Sequence, residues 1–339
     1  MRLMSRPMRH PSTSRPKIAG APQIADLTTT PAIAQSFSIC HQNVICLKEL
    51  PRTLICMLPF TELLETAVRA AHAAASVLQQ HRASRSGLII DHKGRNDLVS
   101  QADRESEDVV MEILRKETPT IGLIGEETGG QQGESATWYI DPLDGTTNYL
   151  HGVDHYAVSI GLVGRAGTPD ALGNTLAKDT PLLGVIYDPN REEMFTAMQG
   201  VGAWCNGHRL HHSGATQLSE ALIATGIPGR DFSYLDPYLA ALKDVALNCR
   251  GIRRQGSAAL DLAWVACGRM DGYWEQGLYP WDVAAGTVIA REAGAVVVDP
   301  FDNSASWPER GRVLASTPGI VDKLATLVKS HMADAPGMQ

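Results

Sequence analysis

The chain has 339 residues, 44% of them hydrophobic and 20% charged, with a formal net charge of −7. This is the composition of an ordinary globular protein, long enough for one large or two medium domains with buried cores. The acidic balance argues against direct nucleic-acid binding through bulk electrostatics, and no apolar run approaches the roughly 20 residues that a membrane span needs.

Residues 1–56 differ from the rest. The start, "MRLMSRPMRHPSTSRPKIAG", is rich in Arg, Pro and Ser, and no acid precedes Asp26. Three readings fit: a targeting segment, a disordered arm, or sequence upstream of a start at Met57. The last is favoured, because an amphipathic pattern begins just after Met57. Leu64, Ala67, Val68, Ala71, Ala75 and Leu78 recur at helical spacing, with Thr61 available as N-cap. A second helix is expected over about 102–116, with Val109, Ile113 and Leu114 inward.

Strands follow in quick succession: "TWYID", "HYAVSIGLVG", "LLGVIYDP" and "EMFTAM" alternate or run apolar between turn signals. The tract 165–181 reads as a long exposed hairpin loop. The last third alternates strand ("ALIATGIPG", "AVVVDP") with helix ("GSAALDLAWVACGRM", "DVAAGTVIAREAG"). The pattern divides the chain into an antiparallel-sheet α+β half, 57–218, and an α/β half, 219–330, with a tail at 331–339. Helices are expected to cover the sheets in a layered α+β or α/β sandwich. The six cysteines (Cys40, Cys46, Cys56, Cys205, Cys249 and Cys267) show neither a C-x-x-C pair nor zinc spacing, which reads as reduced thiols of a cytoplasmic protein.

Four acidic groups fall where apolar runs end or helices begin. They are Asp103, Glu126 with Glu127, Asp141 with Asp144, and Asp282. Asp103 also completes a Ser100-x-x-Asp103 capping box, and Asp282 also reads as a helix cap. Glu126 and Glu127 also read as turn residues. Asp141 and Asp144, in "WYIDPLDGTTNYLHG", resist such readings, because close carboxylates at the end of an interior strand repel unless a cation or proton intervenes. An all-carboxylate set favours Mg²⁺, Mn²⁺ or Ca²⁺ over zinc. The "DGTT" turn offers backbone N–H groups and the Thr146 hydroxyl to a phosphate. The spacing is Asp-x-x-Asp-Gly-Thr, which differs from the Asp-x-Asp-Gly-Thr pattern of haloacid-dehalogenase-type phosphatases.

The stretches "GEET", "WYIDPLDGTTNYLHG", "GIRRQGSAALDLAWVACGRMDGYWEQGL" and "PWDVAAGTVIAREAG" stand in an order and spacing that resembles the inositol monophosphatases, especially their bacterial branch, over roughly residues 60–325. The resemblance implies a fold of alternating α-β-α-β-α layers, of the type shared with fructose bisphosphatases. It implies a site for two to three Mg²⁺ ions, with Mn²⁺ as a substitute. Glu126, Asp141 and the Leu143 carbonyl would hold the first ion, Asp141, Asp144 and Asp282 the second, and Glu126 would share a third. Thr146, bonded towards Asp103, would orient the attacking water with help from Glu126, and Lys93 matches a position near the loop that completes the site. Glu275, Ser257, Ala258 and Arg253, with Asp144, Gly145, Thr146 and Asp282, would meet the substrate.

The implied activity is release of phosphate from a small phosphorylated polyol or sugar, with myo-inositol 1-phosphate first and histidinol phosphate or another sugar or nucleotide phosphate as the alternative. Nucleotidase relatives usually carry lysine after Asp-Gly-Thr, where this chain has Thr147. The resemblance also implies a homodimer and lithium sensitivity. Bacterial relatives further suggest a role in transcription or ribosome biogenesis independent of catalysis.

Overall fold

A computed structural model describes residues 52–83, 90–94 and 97–333, with side chains from Pro59 to Ala83 and from Gln101 to Ala333. The expectations for residues 1–51, for the Lys93 side chain and for the tail from 334 lie outside these. In chain order the elements are α1 (Arg52–Ala83), β1 (Ile90–Gly94), β2 (Asp97–Ser100), α2 (Gln101–Glu117), β3 (Gly122–Gly125), β4 (Gly129–Gln131), β5 (Ala136–Asp144), α3 (Thr146–His151), β6 (Ala157–Gly164), β7 (Thr180–Asp188), β8 (Glu193–Met198), β9 (Gly202–Cys205) and β10 (His208–Arg209). There follow β11 (Leu222–Thr225), α4 (Leu235–Asn248), β12 (Gly251–Arg253), α5 (Ala258–Ala266), β13 (Gly272–Glu275), α6 (Pro280–Glu292), β14 (Val296–Val298), β15 (Val313–Ser316) and α7 (Val321–Met332).

Apart from the β1–β2 hairpin, the strands form two sheets. The first has the order β10-β9-β8-β7-β6-β5-β3-β4 and the second β12-β11-β13-β15-β14. Among the described residues, only the β3–β5, β11–β12 and β11–β13 pairs are parallel. Strand alternation sorts β5 between two cores. Trp138 and Ile140 face α1 and α2, whose Ala67, Ala71, Leu78, Val110 and Leu114 cover them. Tyr139 faces the other way, into the layer of α5 and α6. That layer meets the second sheet through Ala224, Tyr273 and Ala315, whose outer face packs Ile223, Trp274 and Leu314 on α4 and α7. The result is five alternating layers, α-β-α-β-α, as the sequence led us to expect.

Glycine sets the spacing at the centre. A Cβ on Gly184 would stand 2.4 Å from the Ala285 carbonyl oxygen, and one on Gly161 would stand 2.7 Å from Ala284 Cβ. The bare backbones of β6 and β7 therefore let α6 lie almost against the sheet.

Three local expectations change. The helical pattern continues N-terminally through "RTLICMLPF", so Thr61 lies inside α1 instead of capping it. Pro59 removes one donor from the ladder without ending it. On α2 the buried stripe is Asp103, Ser106, Glu107, Val110, Met111 and Leu114, so Val109 and Ile113 sit at its half-buried edge. The expected exposed loop before β7 is packed instead, with Asp170, Ala171 and Leu176 buried and Ala171 part of the core shared by α1, α2 and the first sheet. Asp170 Oδ1 accepts from the N–H groups of Leu172 and Asn174, both within 2.9 Å. Asx-type bonding of this kind ties a loop to itself.

Candidate active site

In a regular strand, residues three apart point to opposite faces. Asp141 pairs with Ser159 and Asp144 with Ala157, and the register slips between them. Such a slip re-aims side chains. Here it follows from Pro142, which has no N–H to give, and from Leu143, whose N–H turns back to Asp141 Oδ1 at 2.9 Å. Both carboxylates thus reach one cavity of about 670 Å³, lined also by Glu126, Thr146, Glu275 and Asp282. Gly145 then turns the chain with φ +99°, a left-handed conformation suited to glycine.

Asp282 arrives from the other side of the sheet layer. It is the third residue of α6, not its N-cap, and its Oδ2 accepts from the Tyr279 N–H at 2.7 Å. Capping and site membership therefore coexist in one side chain. One oxygen from each of Asp141, Asp144 and Asp282 lies within 4.8 Å of the others. Glu126 follows β3 and is placed by the parallel ladder, its N–H donating to Ile140 at 3.1 Å. Arg230 stands 3.6 Å from its Oε1.

The supporting bonds are specific. Asp144 Oδ2 accepts from Ser257 Oγ at 2.6 Å and from the Ala259 N–H at 2.7 Å. Ser257 also caps α5 by accepting from the Leu260 N–H. Thr146 Oγ1 lies 3.1 Å from the Leu143 carbonyl and 3.4 Å from Asp103 Oδ1, so its one proton serves two acceptors. Asp103 itself is buried. Glu275 accepts from the Tyr273 hydroxyl at 2.7 Å. Its carboxylate fills the space beside Gly226, where a Cβ would stand 1.7 Å away.

Burial dominates the titration of these acids. It pushes Glu126 up to about 8, with the charge of Asp282 adding and Arg230 opposing. It pushes Asp144 up to about 7, again with Asp282 adding, against the hydrogen bonds from Ser257 and Ala259. Asp141 rises well above the usual carboxylate range through burial and then Glu126, Asp144 and Asp282. Asp282 rises through burial, against bonds from Tyr279 and Asp141. Glu275 rises to about 7 through burial, against the Tyr273 bond and Arg254. Such a cluster holds protons at neutral pH unless a cation replaces them. An all-oxygen donor set, buried and anionic, suits a hard divalent ion.

Other expected residues fall less simply. Gly145 and Ala258 line the cavity, but Arg253 does not. Arg253 is exposed at the end of β12 and donates to the Ile252 carbonyl, whereas the adjacent Arg254 lines the cavity. Lys93 lies on β1, and its side chain is outside the described residues. Glu127 gives its N–H to Glu107 Oε2. Glu107 went unnoticed in the sequence, yet it is fully buried and also accepts from the Thr128 N–H and hydroxyl at 2.8 and 2.6 Å. It thereby fixes the turn that carries Glu126. The available signal was its place one helical turn after Asp103, on the same face.

A profile of the inositol monophosphatase family matches residues 60–333. The chain belongs to the inositol monophosphatase family. It is 38% identical over 275 residues to the Nus factor SuhB of Escherichia coli (strain K12), covering 80% of this chain and 98% of that one. It is 39% identical over 276 residues to the Nus factor SuhB of Pseudomonas aeruginosa, covering 80% and 97%. Among solved structures, the extragenic suppressor protein suhB of Bartonella henselae superposes with a TM-score of 0.71 at 37% identity, covering 80% of this chain and all of that one. The inositol monophosphatase of Anabaena superposes with a TM-score of 0.66 at 36% identity, covering 81% and 98%.

One expectation is overturned. Relatives that match along nearly their whole length are named Nus factors, a transcription name, so the exclusion of nucleic acid does not stand. It rested on net charge, which sums the whole chain and is blind to where the charges lie. Arg230, Arg254 and Arg310 all line one cavity of this acidic protein. Among the described residues, no helix is long and apolar enough to cross a membrane.

Proposed function

We propose that this family member is a cytoplasmic, Mg²⁺-dependent phosphomonoesterase, with myo-inositol 1-phosphate as leading substrate and histidinol phosphate or another small phosphate ester as the alternative. The observation that carries the reading is the meeting of Asp141, Asp144 and Asp282 within 4.8 Å in a buried, oxygen-only cluster. Glu126, Asp141, Asp144, Asp282 and the Leu143 carbonyl would hold two to three ions, with Mn²⁺ as a substitute for Mg²⁺. When bound, such ions neutralise phosphate charge and lower the pKa of water.

The chain's own groups do the rest. The Thr146 hydroxyl, held towards Asp103, orients the attacking water, and Glu126 receives its proton. The N–H groups of Gly145 and Thr146 donate to phosphate oxygens. Glu275, braced by Tyr273, accepts from hydroxyls of the polyol, beside the edge formed by Ser257 and Ala258. No covalent phosphoenzyme is needed. The test is phosphate release from inositol 1-phosphate by the purified protein, with Mg²⁺ and with EDTA. Release that EDTA abolishes supports the reading, and no release from any small ester with Mg²⁺ rejects it.

A second reading, a role in transcription independent of catalysis, is favoured by the relatives named Nus factor. Asp144→Asn separates the two: it abolishes phosphate release, and only the second reading keeps the cellular phenotype intact.

A further inference from the structure

One buried acid, Asp261 on α5, is not among the clustered carboxylates and does not line the cavity. Its neighbours along the helix, Ala258, Ala259, Leu260, Leu262 and Ala263, all belong to the apolar layer between the sheets. Asp261 is itself only 1% exposed. A carboxylate in such a place lowers stability unless its position serves another end. Burial, then the charges of Glu275 and Asp144, pushes it well above the usual carboxylate range, against Gln255 and Arg254. Its Oδ1 accepts from Gln255 Nε2 at 3.3 Å.

Gln255 belongs to the short loop 254–257 between β12 and α5, in which Arg254 and Gly256 line the cavity. The Gln255 carbonyl accepts from Asn148 Nδ2 at 2.7 Å, and the same nitrogen donates to the His155 carbonyl at 2.8 Å. Asn148 lies on α3 just after Thr146, so one amide fastens the loop to the turn offered to the phosphate. The fit there is close. A Cβ on Gly145 would stand 3.1 Å from the His155 carbonyl oxygen and 3.2 Å from that of Gly256. A Cβ on Gly256, at φ +87°, would stand 2.4 Å from Arg254 Nη1, so the guanidinium rests against a bare backbone. From there the Arg254 charge acts on Glu275.

Ser257 is held separately, between Asp144 and the Leu260 N–H. It is therefore 254–256 that needs a further brace, and the Gln255 side chain reaches down to Asp261 to provide one. We propose that Asp261 is a positioning residue: acting through Gln255, it fixes Arg254 and Gly256 relative to the phosphate turn, so that the polyol and its phosphate are held in register. This rests on the phosphatase reading above. The phosphate turn and the clustered acids keep their own bonds without it, so its loss falls on the alcohol part of the substrate.

The experiment measures kcat and KM in Mg²⁺ for inositol 1-phosphate and for phenyl phosphate, whose ring brings no hydroxyl to Glu275. The full chain is compared with Asp261→Ala, Asp261→Asn, Gln255→Met and the double variant of Asp261→Ala with Gln255→Met. Asp261→Ala and Gln255→Met should each raise KM for inositol 1-phosphate about fivefold, the worth of one hydrogen bond, with kcat and both constants for phenyl phosphate unchanged. Asp261→Asn keeps an acceptor oxygen and should keep the original KM. The double variant should be no worse than either single one, because both remove the same contact. Should Asp261→Ala fail to fold, Gln255→Met decides alone. A change shared equally by both esters, no change in either, additive losses, or an Asp261→Asn as impaired as Asp261→Ala overturns the proposal and leaves the phosphatase reading in place. Release from phenyl phosphate alone also overturns it. No release from either ester overturns both.

Discussion

Glu107 has no accessible surface, yet it is a carboxylate with no metal role assigned to it. It accepts three hydrogen bonds from Glu127 and Thr128, so its task is to hold the turn that presents Glu126. Gly125 makes room for it, since a Cβ there would stand 2.5 Å from the Glu107 carboxylate. Glu107→Ala leaves those donors unmatched and should cost about 2 kcal/mol of stability. Urea denaturation would measure that loss, and an unchanged midpoint would show that water replaces the carboxylate. Glu107→Gln keeps two of the acceptor contacts and should recover part of both stability and phosphate release. Ser257 presents the same logic behind the cavity, where it is buried against Asp144. Its hydroxyl serves Asp144 and the start of α5 together, so Ser257→Ala should weaken metal binding as well as lower Tm. Calorimetric titration with Mg²⁺ checks the first effect, and full-strength binding by the variant would deny Ser257 a hold on Asp144.

At the scale of elements, α6 carries Asp282 to the first sheet's acids, and Gly161 and Gly184 set how near it lies. Gly184→Ala forces Cβ against the Ala285 backbone and should destabilise the protein by about 2 kcal/mol through overpacking. It should also weaken Mg²⁺ binding, because Asp282 moves with its helix. A lowered Tm with unchanged Mg²⁺ affinity would show that the sheet yields instead of α6. The segment between β6 and β7 was expected to be an exposed loop. Its backbone and side chains instead bridge to Ser135 and Gln132 on one side and to Ser304 and Ser306 on the other. Burial of Leu176 follows. Leu176→Ala should therefore cost about 2 kcal/mol, as for a core leucine, where a solvent-exposed loop residue would cost almost nothing.

At the scale of the molecule, the acids tie stability to pH and to metal. Unfolded Asp and Glu titrate near 4, whereas in the fold Glu126 is held at about 8, and Asp144 and Glu275 at about 7. Between those values the native protein keeps protons that the unfolded chain has released. The stabilisation from these groups is therefore full below about pH 4 and is lost as pH rises through about 7 to 8. In EDTA, Tm should fall from about pH 6 to about pH 8.5. Saturating Mg²⁺ should raise Tm more at the higher pH, because binding must displace fewer protons there. Scanning calorimetry in both conditions decides it: a Tm that climbs with pH in EDTA, or a Mg²⁺ increment independent of pH, contradicts the coupling.

The sequence by itself determined what is local. Apolar alternation marked β5, β6 and β7, the Asp-Gly turn marked the end of β5, and helical spacing marked α2 and α6, because side-chain period follows directly from backbone geometry. It also supplied the residue types from which a hard-cation reading followed. The tertiary structure decided what depends on contacts far apart in the chain. Asp141 and Asp282, 141 positions apart in the numbering, meet because β6 and β7 are bare at two glycines and α6 settles there. The choice of Arg254 over Arg253, the hidden Glu107 and the packed segment before β7 were decided in the same way. No local period distinguishes two adjacent arginines, one buried glutamate among several on α2, or a loop leucine that finds a neighbour in another segment. Those outcomes depend on which surfaces meet once the layers have packed.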